Sequence, residues 1–559
     1  MFGSEKNARS QLSAWWKESS VYQVYPASFQ DSTGTGVGDL KGIISRVDYL
    51  HSLGVDIVWL CPIFESPQID MGYDISNYRV VDPRYGSIDD VDDLMKKLQE
   101  RGMRLVLDLV VNHTSDQHEW FKQSRSSKDN PYRDCAWEWD EATGEYYLHL
   151  FCREQPDLNW ENPAVRAAVR DIMHFWLARG IDGFRLDVIN FISKDQGFPD
   201  SQAAVHKGAE YYAAGPRLHE FLGEIGAVLK TYDAFSVGEM LCVYDLDEII
   251  KSVRADRGEL SMIFHFECMD LDHGPEGKFS PRQWTLAEFK ETIYKWQRFM
   301  YDNDGWNALY LENHDQPRAV SRFASDEPIH RANSAKLLAM IQGFQAGTPF
   351  IYQGQELGMH NVPEEWPMEE YKDIDCLSHW NLRKDNPDEG LKTLLRAEYR
   401  KKSRDNARTP MQWTAGPHAG FALASSTPPW MKAHPNHVEI NAEAQTADPD
   451  SAFHCWRAVL AARKNHRDIF VYGDFDLFDA SHDEVFAYVR RAPGTETGLP
   501  GRRVALVAGN FSDQTVGWQA MKGMAVREVL VSSGGKRVDD FARDTTTLGP
   551  YEGFAVLLE

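Results

Sequence analysis

Three acidic residues directly follow, or nearly follow, apolar segments that look like strands. Asp187 ends GFRLD, Glu239 ends FSVGE and Asp315 follows LENH. A single acid at such a place often caps the next helix, but three of them, with Arg185 and His314 beside two, favour a shared site. Paired carboxyl groups can serve as nucleophile and general acid in glycoside hydrolysis, and in retaining enzymes they stand roughly 5–5.5 Å apart.

The two carboxyl groups of such a pair need opposite protonation states. Arg185 precedes Asp187 by two residues, so in a strand both side chains point to the same face. We expect the permanent charge of Arg185 to keep Asp187 ionised at neutral pH. Glu239 must instead keep its proton, which requires surroundings that raise its pKa.

The elements that would position these residues alternate regularly along the chain. Helix-period segments, such as 40–54, 87–102, 162–180, 285–300, 331–347 and 449–466, separate short apolar runs. Eight such runs predict a closed α/β barrel, (β/α)8, with the acids at the carboxyl ends of its strands. The predicted strands are 21–29, 57–62, 104–111, 183–189, 235–240, 261–266, 306–313 and 348–354.

Two irregular segments interrupt this alternation. We expect residues 114–161 to form an excursion after strand 3, and residues 359–447 an insertion after strand 8. The barrel then comprises 1–113 and 162–470. From 471 to 559 the apolar period changes to two, which predicts a C-terminal antiparallel β-sandwich.

Six motifs occur in an order that resembles a known family. They are DLVVNH (108–113), QPDLN (155–159), GFRLDVINF (183–191), VGEM (237–240), ENHDQPR (312–318) and SRDNARTPMQW (403–413). Over nearly its whole length the chain is similar to glycoside hydrolase family 13, the α-amylase family. QPDLN and SRDNARTPMQW resemble its oligo-1,6-glucosidase subfamily, which includes isomaltases and maltases.

The resemblance assigns roles to individual residues. It implies a nucleophile, an acid/base and a residue that holds two glucose hydroxyls: Asp187, Glu239 and Asp315, respectively. His113 and His314 would donate hydrogen bonds to the glucose, and Tyr73 would stack under its ring. The substrate-binding set that it implies is Asp70, Tyr73, His113, Phe151, Gln155, Arg185, Val188, His314 and Arg404.

The resemblance also implies a pocket that is closed at one end. Asp70 and Arg404 would pair and grip the far hydroxyl, so that a single glucose fits; Arg408 is the alternative to Arg404. Phe151 and Gln155 would line the same pocket. The expected activity is that of a retaining, exo-acting α-glucosidase, which releases glucose from the non-reducing end of short α-glucosides.

A calcium loop of many relatives is altered in this chain. The corresponding positions are Asp31, Thr33, Thr35, Val37 and Asp39, where relatives read D-x-N-x-D-x-I-x-D. Calcium prefers carboxylate and carbonyl oxygens, so the two threonines predict a weak or empty site. We expect no cofactor to be required.

Linkage preference depends on residues beside the catalytic pair. Valine after the nucleophile, here Val188, accompanies α-1,6 activity in relatives, whereas Leu241 and Cys242 depart from the Met-Pro-Gly that often follows the acid/base of 1,6-specific relatives.

An α-1,4 maltase or a sucrose-active glucosidase remains an alternative. A sucrose isomerase is disfavoured because no arginine-rich aromatic clamp follows Asp315. A non-catalytic barrel protein is the distant alternative, although this chain keeps the acids.

Composition limits the partners and the compartment. The net charge of −24 disfavours nucleic acid and anionic membranes as partners. The amino terminus lacks an apolar signal region, and no run approaches 18 apolar residues. Seven scattered cysteines without metal-ligand spacing fit reduced thiols. We therefore expect a cytoplasmic protein whose partners are small α-glucosides.

Overall fold

Eight parallel strands form the centre of the molecule. The computed structural model describes residues 13–126, 138–197, 199, 201, 208–423, 425–494, 503–542 and 545–559. The strands are β1 Val21–Val24, β2 Ile57–Leu60, β3 Arg104–Val110, β4 Gly183–Asp187, β5 Phe235–Glu239, β6 Met262–Phe264, β7 Ala308–Leu309 and β8 Thr348–Tyr352. Each overlaps one predicted strand.

The strands pair in the order β6-β5-β4-β3-β2-β1-β8-β7. A single parallel bridge between Ile263 and Asn307 joins the two ends of this row. Its strands are buried on both faces, as is usual for parallel sheets covered by helices. The predicted (β/α)8 barrel is confirmed.

Several strands are shorter than the sequence predicts, for identifiable reasons. β1 ends before Pro26, which begins a 3-10 turn at Pro26–Ser28. β4 ends at Asp187 because Val188 has a left-handed backbone, with φ 34° and ψ 43°.

Helices surround the barrel, and most begin at a capping side chain. Ser87 and Asp90 form a capping box at the start of Ile88–Gln99. The predicted helix 40–54 is two helices that meet at Arg46. The main outer helices are Leu40–Ser45, Val47–Leu53, Ile88–Gln99, Pro163–Arg179, Leu218–Thr231, Leu246–Val253, Leu286–Asp302, Arg331–Gly343 and Ala452–Asn465.

Irregular segments follow β3 and β8. After β3, the described part contains helix Glu119–Ser126 and a hairpin of Glu138–Asp140 with Glu145–Tyr147. After β8, the insertion contains helices Ile374–Asn381, Glu389–Lys402, Asp405–Arg408 and Ala442–Ala447. It packs around an apolar cluster that includes its Val362, Tyr371 and Tyr399 and also Phe279, from the segment after β6.

The C-terminal region is made of antiparallel sheets. Five strands pair in the order Asp474–Phe478, Val485–Arg491, Val504–Asn510, Gly553–Leu558 and Val526–Ser532. A two-stranded sheet, Val516–Trp518 with Thr546–Leu548, packs on this sheet through Trp518 and Leu548. The predicted sandwich is confirmed as an antiparallel-sheet domain, while the boundaries at 113, 161, 359, 447 and 470 stay predictions.

Two further expectations concern membranes and thiols. Among the described helices, none combines the length and the apolar character needed to cross a membrane. Six cysteines have free thiols: Cys61, Cys152, Cys242, Cys268, Cys376 and Cys455. Cys135 lies outside the described residues.

Candidate active site

Three neighbouring strands bring charged side chains together at their carboxyl ends. Asp108 of β3 lies opposite Arg185 of β4 in the ladder, and Asp187 ends the same strand. Glu239 ends β5, the next strand. All four residues are buried. The catalytic pair predicted from the sequence is therefore adjacent in space.

Arg185 lies at the centre of this group. Its Nη1 donates to Asp108 Oδ1 at 3.0 Å and to Asp187 Oδ1 at 2.6 Å. Its Nη2 donates to Glu239 Oε2. Because the two nitrogens belong to one planar guanidinium, Asp187 and Glu239 are held close together. This arrangement suits the short carboxyl separation of a retaining glycosidase better than the wide one of an inverting enzyme.

The surroundings of Glu239 favour its protonated form. Burial is the largest cause of a rise in the pKa of Glu239 to about 8; Arg185 opposes the rise and Asp187 adds to it. Burial also raises the pKa of Asp187, although Arg185 opposes it. The charge of Arg185 thus opposes, without cancelling, the effect of burial on the pKa of Asp187. The sequence did not reveal that three buried carboxylates share one guanidinium.

Repulsion between the carboxylates of Asp187 and Glu239 determines how many protons this pair holds. Two interacting carboxyl groups titrate as a unit, because a proton on one lowers the affinity of the other for a second proton. The pair can therefore hold one proton near neutral pH. With that proton on Glu239, Asp187 remains charged, and the site contains one acid and one nucleophile.

Asp315 lies in a strongly positive environment. Arg408 Nη2 donates to Asp315 Oδ1 at 2.6 Å, and Arg404 Nη1 lies 3.5 Å from the same oxygen. Burial would raise the pKa of Asp315, but the guanidinium groups of Arg404 and Arg408 outweigh it and hold that pKa well below the usual range. Asp315 is therefore a permanent carboxylate, suited to accept hydrogen bonds from hydroxyl groups.

His314 is clamped in one orientation. Gln23 Nε2 contacts its Nδ1 at 2.8 Å, and the Tyr73 hydroxyl contacts its Nε2 at 2.6 Å. The Tyr73 ring also stacks on the imidazole, with centroids 5.2 Å apart. Burial lowers the pKa of His314 to about 3, so the ring is neutral. The Tyr73 hydroxyl donates to Asp108 at 3.0 Å, which links this group to Arg185.

The predicted closing pair lies next to Asp315, because Arg404 contacts both Asp70 and Asp315. Arg404 Nη2 donates to Asp70 Oδ1 at 3.4 Å, and Gln155 Nε2 donates to Asp70 Oδ2 at 3.3 Å. Gln155 Nε2 also contacts His113 Nε2 at 3.3 Å. The Phe151 ring lies 5.0 Å from the His113 ring and is 39% exposed, so it belongs to the rim.

Both arginines of the SRDNARTPMQW motif reach this site. Arg404 contacts Asp70 and Asp315, whereas Arg408 donates to Asp315 and to the carbonyl oxygen of His314, the latter at 3.0 Å. Only Arg404 therefore makes the predicted pair with Asp70. Arg408 instead holds the segment that carries His314 and Asp315.

Three residues of the site were missing from the prediction. Asp108 begins the DLVVNH motif, so the signal for it was present. Asp373 accepts from Arg404 Nε at 2.7 Å, and Gln23 orients His314. Neither of these two lies in a motif quoted from the sequence, and their partners lie 31 and 291 residues away along the chain, respectively.

The candidate calcium loop does not fit a cation. Asp31 accepts backbone N–H groups from Thr33, Gly34 and Gly36 at 2.7–3.0 Å. Asp39 accepts from Ser32 and caps the helix that starts at Leu40. These bonds already satisfy the two carboxylates, and the side chains of Thr33 and Thr35 offer only neutral hydroxyls. The described residues contain no group of three or more His, Cys, Asp or Glu arranged for a metal ion.

Comparisons with known proteins agree with this geometry. A family model of the alpha amylase catalytic domain matches residues 23–473. The chain is 47% identical to the alpha-glucosidase of Schizosaccharomyces pombe, over 98% of both proteins. It is also 47% identical to the oligo-1,6-glucosidase of Parageobacillus thermoglucosidasius, over 90% of this chain and 91% of that protein.

A solved structure extends the similarity to the fold. Isomaltulose synthase from Erwinia rhapontici NX5, in complex with sucrose, superposes with a TM-score of 0.91 at 37% identity. The match covers 98% of this chain and 100% of the synthase. The family model spans most of the chain, and the relatives match it nearly end to end. The chain therefore belongs to the alpha-amylase family.

Proposed function

We propose that this protein is a retaining, exo-acting α-glucosidase that releases glucose from short α-glucosides, including those with α-1,6 links. The observation that carries the proposal is the shared guanidinium of Arg185, which holds Asp187 and Glu239 side by side. The raised pKa of Glu239 supports its role as the acid. The names of the relatives point in the same direction.

The reaction has two displacement steps. The Asp187 carboxylate attacks the anomeric carbon while Glu239 gives its proton to the leaving oxygen, so that a glucosyl ester forms and the second sugar departs. The Glu239 carboxylate then takes a proton from water, whose oxygen attacks the same carbon and frees Asp187. If the hydroxyl of another sugar replaces water, the product is a new glucoside.

The closed wall supports release of a single glucose. Asp70, Gln155 and Arg404 form a chain of hydrogen bonds, the arrangement that we expect to close the pocket at that end. Arg404 is itself anchored by Asp373. We therefore assign Asp70 and Arg404 to the terminal hydroxyl, Asp315 to neighbouring hydroxyls, and His113, Gln155 and Phe151 to the surrounding wall.

The preference for α-1,6 links rests on Val188. This residue is not an ordinary strand residue, since it leaves β4 with a left-handed backbone immediately after the nucleophile. The resemblance to α-1,6-active relatives supports its role in admitting the second sugar. Small α-glucosides are the proposed partners and the cytoplasm is the proposed compartment; nucleic acid and membranes are not expected partners.

Asp187→Asn tests the role of the nucleophile. The amide preserves the shape but cannot attack, so turnover should fall by about four orders of magnitude or more. Asp182→Asn is the matched control, because Asp182 lies just before the other end of β4 and binds Arg104. The control should keep wild-type kcat. Near-normal turnover by a folded Asp187→Asn protein would contradict the proposal.

A further inference from the structure

The turn after the nucleophile contains a buried asparagine that contacts the acid/base loop. Asn190 is fully buried in the 3-10 turn Ile189–Phe191. Its Nδ2 donates to the carbonyl oxygen of Leu241 at 2.7 Å. Its Oδ1 accepts from the N–H of Leu241 at 3.2 Å. One side chain thus binds both backbone groups of a residue two positions after Glu239.

Leu241 needs such a partner because it lies beyond the end of its strand. β5 ends at Glu239, and Met240 still bonds to β6 through the carbonyl oxygen of Phe264. Cys242 then adopts a left-handed backbone with φ 58°, which turns the chain away. The Asn190 side chain therefore replaces the missing ladder at the point where the acid/base strand becomes a loop.

A second contact joins the same two segments. The backbone N–H of Val188 points to Glu239 Oε2 at 3.3 Å. The left-handed conformation of Val188 is unusual for a β-branched residue and is strained. Strained backbone of this kind persists where surrounding contacts fix it. Asn190, two residues later, supplies such a contact.

We propose that Asn190 is a positioning residue that fixes Glu239 relative to Asp187. It does not touch the reacting atoms. It ties the turn that follows the nucleophile to the loop that follows the acid/base, so that this buried side chain acts together with Arg185 in holding the two carboxyl groups at their separation. This inference rests on the proposed function of Asp187 and Glu239.

The consequence concerns the leaving group. A sugar alkoxide leaves only if it receives a proton from Glu239, whereas nitrophenolate needs little protonation. Misplacing the acid should therefore impair cleavage of a disaccharide more than cleavage of 4-nitrophenyl α-glucoside. The ratio of the two kcat/KM values isolates this effect, because kcat/KM reports the steps up to the first irreversible one and thus excludes hydrolysis of the intermediate.

The experiment uses Asn190→Leu, which is similar in shape but lacks both hydrogen bonds. Asn510→Leu is the matched control, because Asn510 is also fully buried and also binds backbone groups, those of Ser512, Gln514 and Gly549. Asn510 lies in the C-terminal sheet. Asn190→Asp keeps the acceptor for Leu241 N–H. It is the second variant and replaces Asn190→Leu in the measurement if the leucine variant does not fold.

We expect Asn190→Leu to lower the ratio of isomaltose to 4-nitrophenyl α-glucoside kcat/KM by about 10- to 100-fold. Asn190→Asp should change it in the same direction but less, and Asn510→Leu should leave it unchanged. Equal losses on both substrates in the folded Asn190 variants would overturn the inference. If the wild type ignores isomaltose, the linkage proposal fails, and maltose then supplies the same ratio for Asn190.

Discussion

Two groups of buried arginines in this molecule bind partners that differ in kind. At the mouth of the barrel, Arg185 binds the carboxylates of Asp108, Asp187 and Glu239. Between the barrel and the C-terminal sheet, Arg463 and Arg490 bind backbone carbonyl groups instead. Arg490 donates to the carbonyl oxygens of residues 344, 470, 473 and 474 at 2.6–3.0 Å.

The electrostatic balance differs accordingly. Burial lowers the pKa of Arg463 to about 9, and the neighbouring charge of Arg490 adds to this decrease; burial likewise lowers the pKa of Arg490 to about 10. Burial also acts on Arg185, but its carboxylates outweigh it and raise the pKa of Arg185 well above its usual value. One region concentrates opposite charges, and the other disperses a charge over neutral groups.

The second region satisfies the end of a helix. Residues 343, 344, 345 and 347 lie at or just beyond the carboxyl end of Arg331–Gly343, and their carbonyl groups accept from Arg463 or Arg490. Carbonyls at such an end lack intrahelical partners and attract cations. We infer that Arg490 stabilises the contact between domains. Arg185 instead arranges titratable groups for chemistry, at the free-energy cost of burying charged groups.

The same substitution at both places should separate these roles. Arg185→Met should lower kcat/KM by about 10³-fold, because the nucleophile and the acid lose their common donor. Arg490→Met should leave kcat/KM unchanged but lower the stability by about 3–5 kcal/mol, since several buried carbonyls lose their partner. Steady-state kinetics and denaturant unfolding provide the two measurements. Loss of activity in a fully folded Arg490→Met protein would break the comparison.

The sequence predicts the first region far better than the second. Arg185 and Asp187 lie two residues apart at the end of an apolar run. The two-residue period of a strand and the opposite charges of these side chains therefore suffice to suggest a catalytic site. The contacts of Arg463 and Arg490 are made with backbone atoms of distant segments, which no side-chain pattern encodes. The break at Arg46 and the left-handed turn at Val188 were missed for a related reason: each depends on the packing of the complete barrel.

Within the first region, a small change should alter selectivity and spare stability. Val188→Thr adds a hydroxyl at similar volume, which can hydrogen-bond an α-1,4-linked second sugar. The ratio of maltose to isomaltose kcat/KM should rise by about 10- to 200-fold, the range for changes of this size in a pocket. The control is Val106→Thr, the same substitution at a buried position in the neighbouring strand β3. An unchanged ratio, or a wild type that ignores isomaltose, would show that linkage is decided elsewhere.

The loop of Asp31 and Asp39 is a third charged region, and it resembles the second in using backbone partners. Its carboxylates are satisfied by N–H groups. A ligand that does not bind cannot stabilise the native state. Thermal melts with and without EDTA should therefore coincide. A lower melting temperature after chelation, restored by added calcium, would show that this loop still binds the ion.

The stereochemistry of the first product tests the central claim most directly. Proton NMR of the wild-type enzyme, recorded within the first turnovers on isomaltose or maltose before mutarotation, distinguishes the two anomers of released glucose. Two successive inversions at the anomeric carbon, with Asp187 as the nucleophile of the first, predict α-glucose. If β-glucose appears first, water attacks the substrate directly, and Asp187 and Glu239 do not form a retaining pair.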